Sequence, residues 1–198
     1  STSQCTAPFP LKDVAMARIK SVIDGRFCGL IVCDTREQAP YEFRGIIADA
    51  ADGGREIEVF TKRATLGSGD YSLEGWESVV AVERKSLADL YGTLGGGRER
   101  FGRELERLNL FQFAAVVVEA SWGEALQHPP KHSELKPKTV FRSILTWQQR
   151  YPNIHWQFME NRRLAEVTTF RILERFWKDR QEEKAKLEKE SIGMAVVS

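Results

Sequence analysis

Cysteine is scarce in this chain: three residues among 198, Cys5, Cys28 and Cys33, with no CxxC spacing. An odd, unpaired set argues against a disulfide framework and fits a reducing compartment. Cys28 and Cys33 flank an apolar run and read as packing residues. Histidine is equally scarce. His128 and His132 are four apart, but Pro129 and Pro130 stand between them, so the two cannot share a helix face and a zinc site is disfavoured. No apolar run approaches the length that crosses a bilayer, so no membrane partner is expected. The first residues also lack the charged-then-apolar order of a secretory signal. The chain is therefore expected inside the cell, in the cytoplasm of a bacterial or phage host or the nucleus of a eukaryotic one. An excess of one charge is missing too: 29 basic against 28 acidic residues leave a net +1. A near-neutral total neither requires nor excludes a nucleic-acid partner, because the local distribution of charge decides that.

What is present is the composition of a globular protein, 42% hydrophobic and 29% charged, long enough for one sizeable core. Three parts are expected: a helical lead-in over 1–26, a central domain over 27–175, and a charged helical or frayed tail over 176–198. Leu11 to Asp24 has apolar residues at helical spacing and ends at Gly25. "GLIVCD" reads as a buried strand ending at Asp34, and 41–47 as a weak strand or loop. After the turn Asp52-Gly53-Gly54, a single alternating strand is expected with Ile57, Val59 and Thr61 on one face. "SVVAVER" is a central strand and "FAAVVVEAS" an uninterrupted one of the parallel-sheet kind. Between them lie a short helix capped by Ser86, a Gly95-Gly96-Gly97 joint or terminator, and an amphipathic helix with Phe101, Leu105 and Leu108 on one face. Residues 121–137 read as loop, Thr139–Tyr151 as helix, "NIHWQFME" as a strand, and Arg162–Glu190 as one long helix. Strands alternating with helices give an α/β class.

Charged residues collect at strand ends: Asp34, Arg36 and Glu37 in "CDTRE", Asp70 in "GD", and Glu83, Arg84, Lys85 and Asp89 in "ERKSLAD". Side chains two apart on a strand share a face, so Glu83 and Lys85 project together and Arg84 the other way. If the strand of Asp70 pairs with that of Glu83, both carboxylates and Lys85 meet. Adjacent buried carboxylates repel, and a divalent cation between them resolves the conflict. Hard cations such as Mg²⁺ take oxygen ligands, hold phosphate oxygens and acidify bound water. Lys85 suits orienting that water or neutralising a phosphate. Taken singly, an E-x-K at a strand end is most often an ion pair.

The larger constellation resembles a known family. "GD…VERKSLAD" is similar to the GD-(x)n-ERK-xxx-D signature of the XPF-type structure-specific endonucleases, and "VCDTRE", "RFGRELERL" and "AAVVVEA" resemble its neighbouring segments, over about residues 29–165. The resemblance implies a restriction-endonuclease-like, PD-(D/E)XK fold, with a central mixed sheet flanked by helices. It also implies Mg²⁺- or Mn²⁺-dependent cutting of branched, flapped or forked DNA in repair, recombination or fork processing. Asp34, Asp70 and Glu83 match the metal-binding carboxylates, with Arg84 offering its carbonyl, and Lys85 matches the active-site lysine. Arg36, Glu37, Arg84 and Asp89 match supporting positions, and Arg100 the helix arginine near the scissile strand. Arg100, Arg103 and Arg107 also fall at helical spacing, either a solvated face or a phosphate-contacting ridge. Two departures stand out. Glu104 occupies a position where the family helix usually carries Gln, and only about two dozen residues follow Arg175, where family members usually continue into a helix-hairpin-helix region. A stand-alone nuclease is therefore expected, with DNA as partner, a homodimer through the nuclease surface, and a helicase or clamp as possible auxiliary. The alternatives are a catalytically silent junction-binding module and a nuclease of the same fold acting on ordinary duplex.

Overall fold

A computed structural model of the chain describes residues 27–49 and 53–196, with side chains to residue 190. The helix expected over 11–24 lies outside the described residues. Eight strands and five helices follow in chain order among the described residues: β1 Leu30–Asp34, β2 Ile46–Ile47, β3 Glu56–Ile57, β4 Phe60–Ala64, β5 Tyr71–Leu73, β6 Val80–Lys85, α1 Leu87–Leu94, α2 Arg98–Leu108, β7 Phe113–Val118, α3 Trp122–Gln127, α4 Pro137–Arg150, β8 Ile154–Phe158 and α5 Arg162–Val196.

Six strands form one mixed sheet in the order β4-β1-β5-β6-β7-β8, and β2-β3 make a separate hairpin. Within the six-stranded sheet β5 alone runs antiparallel to its two neighbours, β1 and β6, and the other pairings of that sheet are parallel. The reason is written in the apolar runs. β6 buries its first four residues and β7 its last five, the pattern of strands covered on both faces. One face, carrying Ile31, Tyr71, Val82 and Val117, packs under Phe170 and Leu173 of α5. The other, carrying Ala81 and Val116, packs under Leu90 of α1, Leu105 of α2 and Ile144 of α4. Strand alternation then assigns the polar ends: Glu83 and Lys85 continue the face of Ala81, Arg84 that of Val82.

Local signals behave as their chemistry dictates. Ser86 Oγ accepts from Asp89 N (3.1 Å), while Asp89 accepts in return from Ser86 N (3.3 Å), a complete capping box opening α1. Gly95 closes α1 by donating to Tyr91 O, and Gly97 opens α2. A Cβ on Gly97 would lie 3.2 Å from Thr93 Cα, so this glycine permits the close approach of the two helices. Trp147 and Trp156 are buried and stacked, with ring centroids 6.2 Å apart. Cys28 and Cys33 are likewise buried.

Three expectations need correction. The single alternating strand over 57–61 is two short strands in two sheets. Ile57 pairs with Ile46 in the hairpin and packs into the α5-side core, whereas Phe60–Ala64 pairs with β1 and leaves Thr61 exposed. The loop over 121–137 contains α3, started by Ser121, whose hydroxyl accepts from Glu124 N. The last helix continues to Val196, beyond the expected end at Glu190; its residues 181–190 are exposed.

Candidate active site

The carboxylates converge because β5 begins between the ends of two neighbours. Asp34 N donates to Asp70 O (2.8 Å), and Asp70 N donates to Val82 O (2.9 Å). With Cys33 opposite Tyr71 and Tyr71 opposite Val82, the next step along each strand sets Asp34, Asp70 and Glu83 side by side. Gly69 makes the approach possible: its φ is +79°, and a Cβ there would stand 2.9 Å from the Ala81 methyl.

The three acids sit in different electrostatic surroundings. Asp34 is fully buried, and all four of its acceptor positions are taken: Oδ1 by Arg36 N (2.7 Å) and Nε (2.8 Å), Oδ2 by Arg36 Nη2 (2.9 Å) and Leu66 N (2.7 Å). Burial alone would raise its pKa, but the Arg36 and Leu66 hydrogen bonds hold the carboxyl down at about 2. Asp70 is the opposite case. Burial and the Glu83 charge push its carboxyl up to about 8, against the Arg84 amide, which donates to Oδ2 at 2.7 Å, and Lys85. Glu83 is buried too, and that burial raises its pKa despite a close ion pair from Lys85 Nζ to Oε1. Burial by itself would lower the Lys85 pKa; the Glu83 partner more than offsets it and keeps the ammonium charged. The same ammonium lies 4.7 Å from the centroid of Phe101 on α2.

These groups face a cleft of about 710 Å³ lined also by Asp89, Arg100 and Glu104. Among the described residues no group of three or more His, Cys, Asp or Glu side chains is placed to hold a metal ion. The donor set nevertheless suits a hard cation. Asp70 Oδ1 and Glu83 Oε2 accept no protein hydrogen bond among the described residues, and both acids have raised pKa values that a positive charge would bring down. Mg²⁺ is commonly held by one or two carboxylates, completed by water and substrate phosphate.

The other residues singled out in the sequence separate into groups. Arg84 projects through the opposite face, where Nε and Nη2 donate to Glu119 (2.7 and 2.8 Å) and Nη1 reaches Glu37 at 3.4 Å. Glu37 also accepts from Ala39 N, and Asp89 caps α1. The three α2 arginines do not form one ridge. Arg100 faces the cleft without an ion pair among the described residues. Arg103 lies in a separate groove with Arg98 and Arg150. Arg107 is held by Ser68 Oγ (3.0 Å) and Glu104 Oε2 (3.0 Å).

Sequence reasoning missed the partners of Arg84. Glu119 accepts from the Tyr41 hydroxyl and from Arg162 as well, both at 2.9 Å. Strand parity beyond Ala115 and Val117 was a signal for Glu119; Tyr41 and Arg162 arrive from distant segments that no local pattern links.

Comparison with known proteins sharpens this picture. The family model described as the ERCC4 domain matches residues 33–169. No curated protein matches the chain. Among solved structures, XPF from Aeropyrum pernix superposes with a TM-score of 0.51 at 19% identity, covering 74% of this chain and 60% of that one. This chain thus spans less than two thirds of that relative. The superposition identifies the mixed sheet with flanking helices as restriction-endonuclease-like. With the family match covering most of its length, the chain belongs to the ERCC4-domain family, and its central unit is an XPF-type nuclease domain.

Proposed function

We propose that the protein is a divalent-cation-dependent DNA endonuclease acting on branched, flapped or forked DNA. The observation that carries this reading is the pair of buried, incompletely paired carboxylates, Asp70 and Glu83, sharing a cleft with Lys85 and with Arg100, which has no ion pair among the described residues. Asp70 and Glu83 would hold Mg²⁺ or Mn²⁺ with the Arg84 carbonyl, and such a cation supplies phosphate binding and an acidified water. Lys85 keeps its proton through Glu83 and presents an ammonium to the phosphate whose charge grows as water adds to phosphorus and one ester P–O bond breaks. Arg100 contacts a neighbouring phosphate and so positions the strand without reading its sequence. Asp34, with no free acceptor position, serves the site by fixing Arg36 and Leu66 rather than as a ligand. DNA is the partner this reading requires, and pairing of two copies through the nuclease unit, or help from a helicase or clamp, belongs to the same proposal.

The test is a substrate panel of flap, fork, four-way junction, single strand and linear duplex with Mg²⁺, run beside Glu83→Ala. Cutting confined to branched substrates and lost in Glu83→Ala supports the proposal. Equal cutting by both proteins overturns it, and binding without cutting by the wild type assigns a junction-binding module instead.

A further inference from the structure

Asp70 is delivered to the cleft by a short turn, Thr65–Gly69, between β4 and β5. Its first part is tied down by the Asp34–Arg36 pair: Leu66 N donates to Asp34 and Leu66 O accepts from Arg36 Nη2 at 2.7 Å. Its second part is tied down from α2. Gly69 N donates to Glu104 Oε1 at 3.2 Å, and Arg107 bridges the other Glu104 oxygen to Ser68 Oγ, both at 3.0 Å. Ser68 is buried. Gly69 has no room to shift toward the sheet, where Ala81 and the Val82 carbonyl already crowd the space a Cβ would take. The two residues before Asp70 are thus pinned by one carboxylate and one guanidinium of a single helix face. These contacts engage Nε and Nη2 of the half-exposed Arg107.

Resting on the endonuclease reading, we infer that Glu104 and Arg107 are positioning residues that set the Ser68–Gly69–Asp70 turn and through it the Asp70 carboxylate, and that neither contacts DNA. The charge on Glu104 serves Arg107, while its Oε1 serves the backbone. Partners of this outer kind typically change metal affinity or activity by about 10–100-fold when removed. A phosphate-contacting arginine leaves another trace, a weaker DNA complex whose salt slope falls by about 0.9.

The experiment compares wild type, Glu104→Ala, Glu104→Gln, Arg107→Ala and Ser68→Ala in three measurements: Mn²⁺ affinity by calorimetry, fork affinity in EDTA over a salt series, and kcat and KM with Mg²⁺. The inference expects Arg107→Ala and Glu104→Ala to lower Mn²⁺ affinity and kcat by about 10-fold or more, with fork affinity and salt slope unchanged. Glu104→Gln keeps the acceptor for Gly69 N and loses one exposed ion pair, so it should stay within about fivefold of wild type. Ser68→Ala, the mildest change, should combine non-additively with Arg107→Ala, since both remove the same contact. A drop in fork affinity and salt slope for Arg107→Ala overturns the inference and returns that arginine to the DNA. Loss of Mn²⁺ binding in Glu104→Gln also overturns it, by making the carboxylate a direct ligand. Wild-type values in all four variants of a cutting enzyme overturn it while leaving the endonuclease reading intact; an inactive wild type strikes the reading itself.

Discussion

The two sides of the β6 end carry the same kinds of side chain and treat them in contrary ways. On the α5 side, Glu119 meets Arg84 through two hydrogen bonds, Arg162 through a third and Tyr41 through a fourth. Burial there would raise the Glu119 pKa, yet the Arg84 and Tyr41 hydrogen bonds bring it below the ordinary value. On the α2 side, Asp70 and Glu83 share one ammonium and one backbone N–H, and both pKa values rise. One side is neutralised from within the protein; the other keeps a deficit of positive charge beside open space. A matched network of buried charges is compensated from within the protein, whereas on the proposed reading the unmatched carboxylates facing a cleft are where an outside cation would be supplied.

Breaking the unmatched side should cost the most function. Lys85→Met removes the one ammonium, and fork cleavage is expected to fall on the order of 10³-fold, read as kcat with saturating Mg²⁺. Retention of more than a tenth of the activity would assign Lys85 to structure only. Breaking the matched side should instead cost stability. Glu119→Ala leaves the Arg84 guanidinium largely buried with the 3.4 Å contact to Glu37 and the Tyr41 ring at 5.8 Å, and a loss of about 3 kcal/mol in urea unfolding is expected with Mn²⁺ binding retained.

Acidity separates the sides further. In EDTA the folded protein holds a proton on Asp70 that the unfolded chain releases near pH 4, so its stabilising contribution is complete below that pH and is lost as pH rises through about 8. Asp34 works in the reverse sense. Its contribution is present above about pH 4 and disappears as pH falls toward 2. Thermal melts of Asp70→Asn should accordingly show a shallower decline between pH 4 and 8, the remainder belonging to Glu83, whose carboxyl is raised as well; an unchanged slope would place the titrating group elsewhere. The smallest effect belongs to Arg100→Ala: one phosphate contact, seen as a salt slope reduced by about 0.9 in fork binding.

Much of this comparison is legible in the sequence alone, and the limits are physical. Alternation along "VVAVERK" already separates Glu83 and Lys85 from Arg84, and the antiparallel pairing that brings Asp70 beside them is a one-step consequence of register. The apolar runs of β6 and β7 and the capping box at Ser86 are equally local. The saturation of Asp34 was not legible, because the last of its four hydrogen bonds comes from Leu66, thirty-two positions away in sequence. Nor was the division of the α2 arginines, which depends on which loop each one meets. The split of residues 57–61 between two sheets has the same origin: alternation reports which residues share a face but not which partner strand takes them.

The central claim is that Asp70 and Glu83 together hold a divalent cation. Calorimetric titration of Mn²⁺ into the wild type, Asp70→Asn and Glu83→Gln, all shown folded by circular dichroism, tests it most directly. The account predicts a binding isotherm for the wild type that is lost in both variants; isotherms of equal affinity in all three proteins would contradict it.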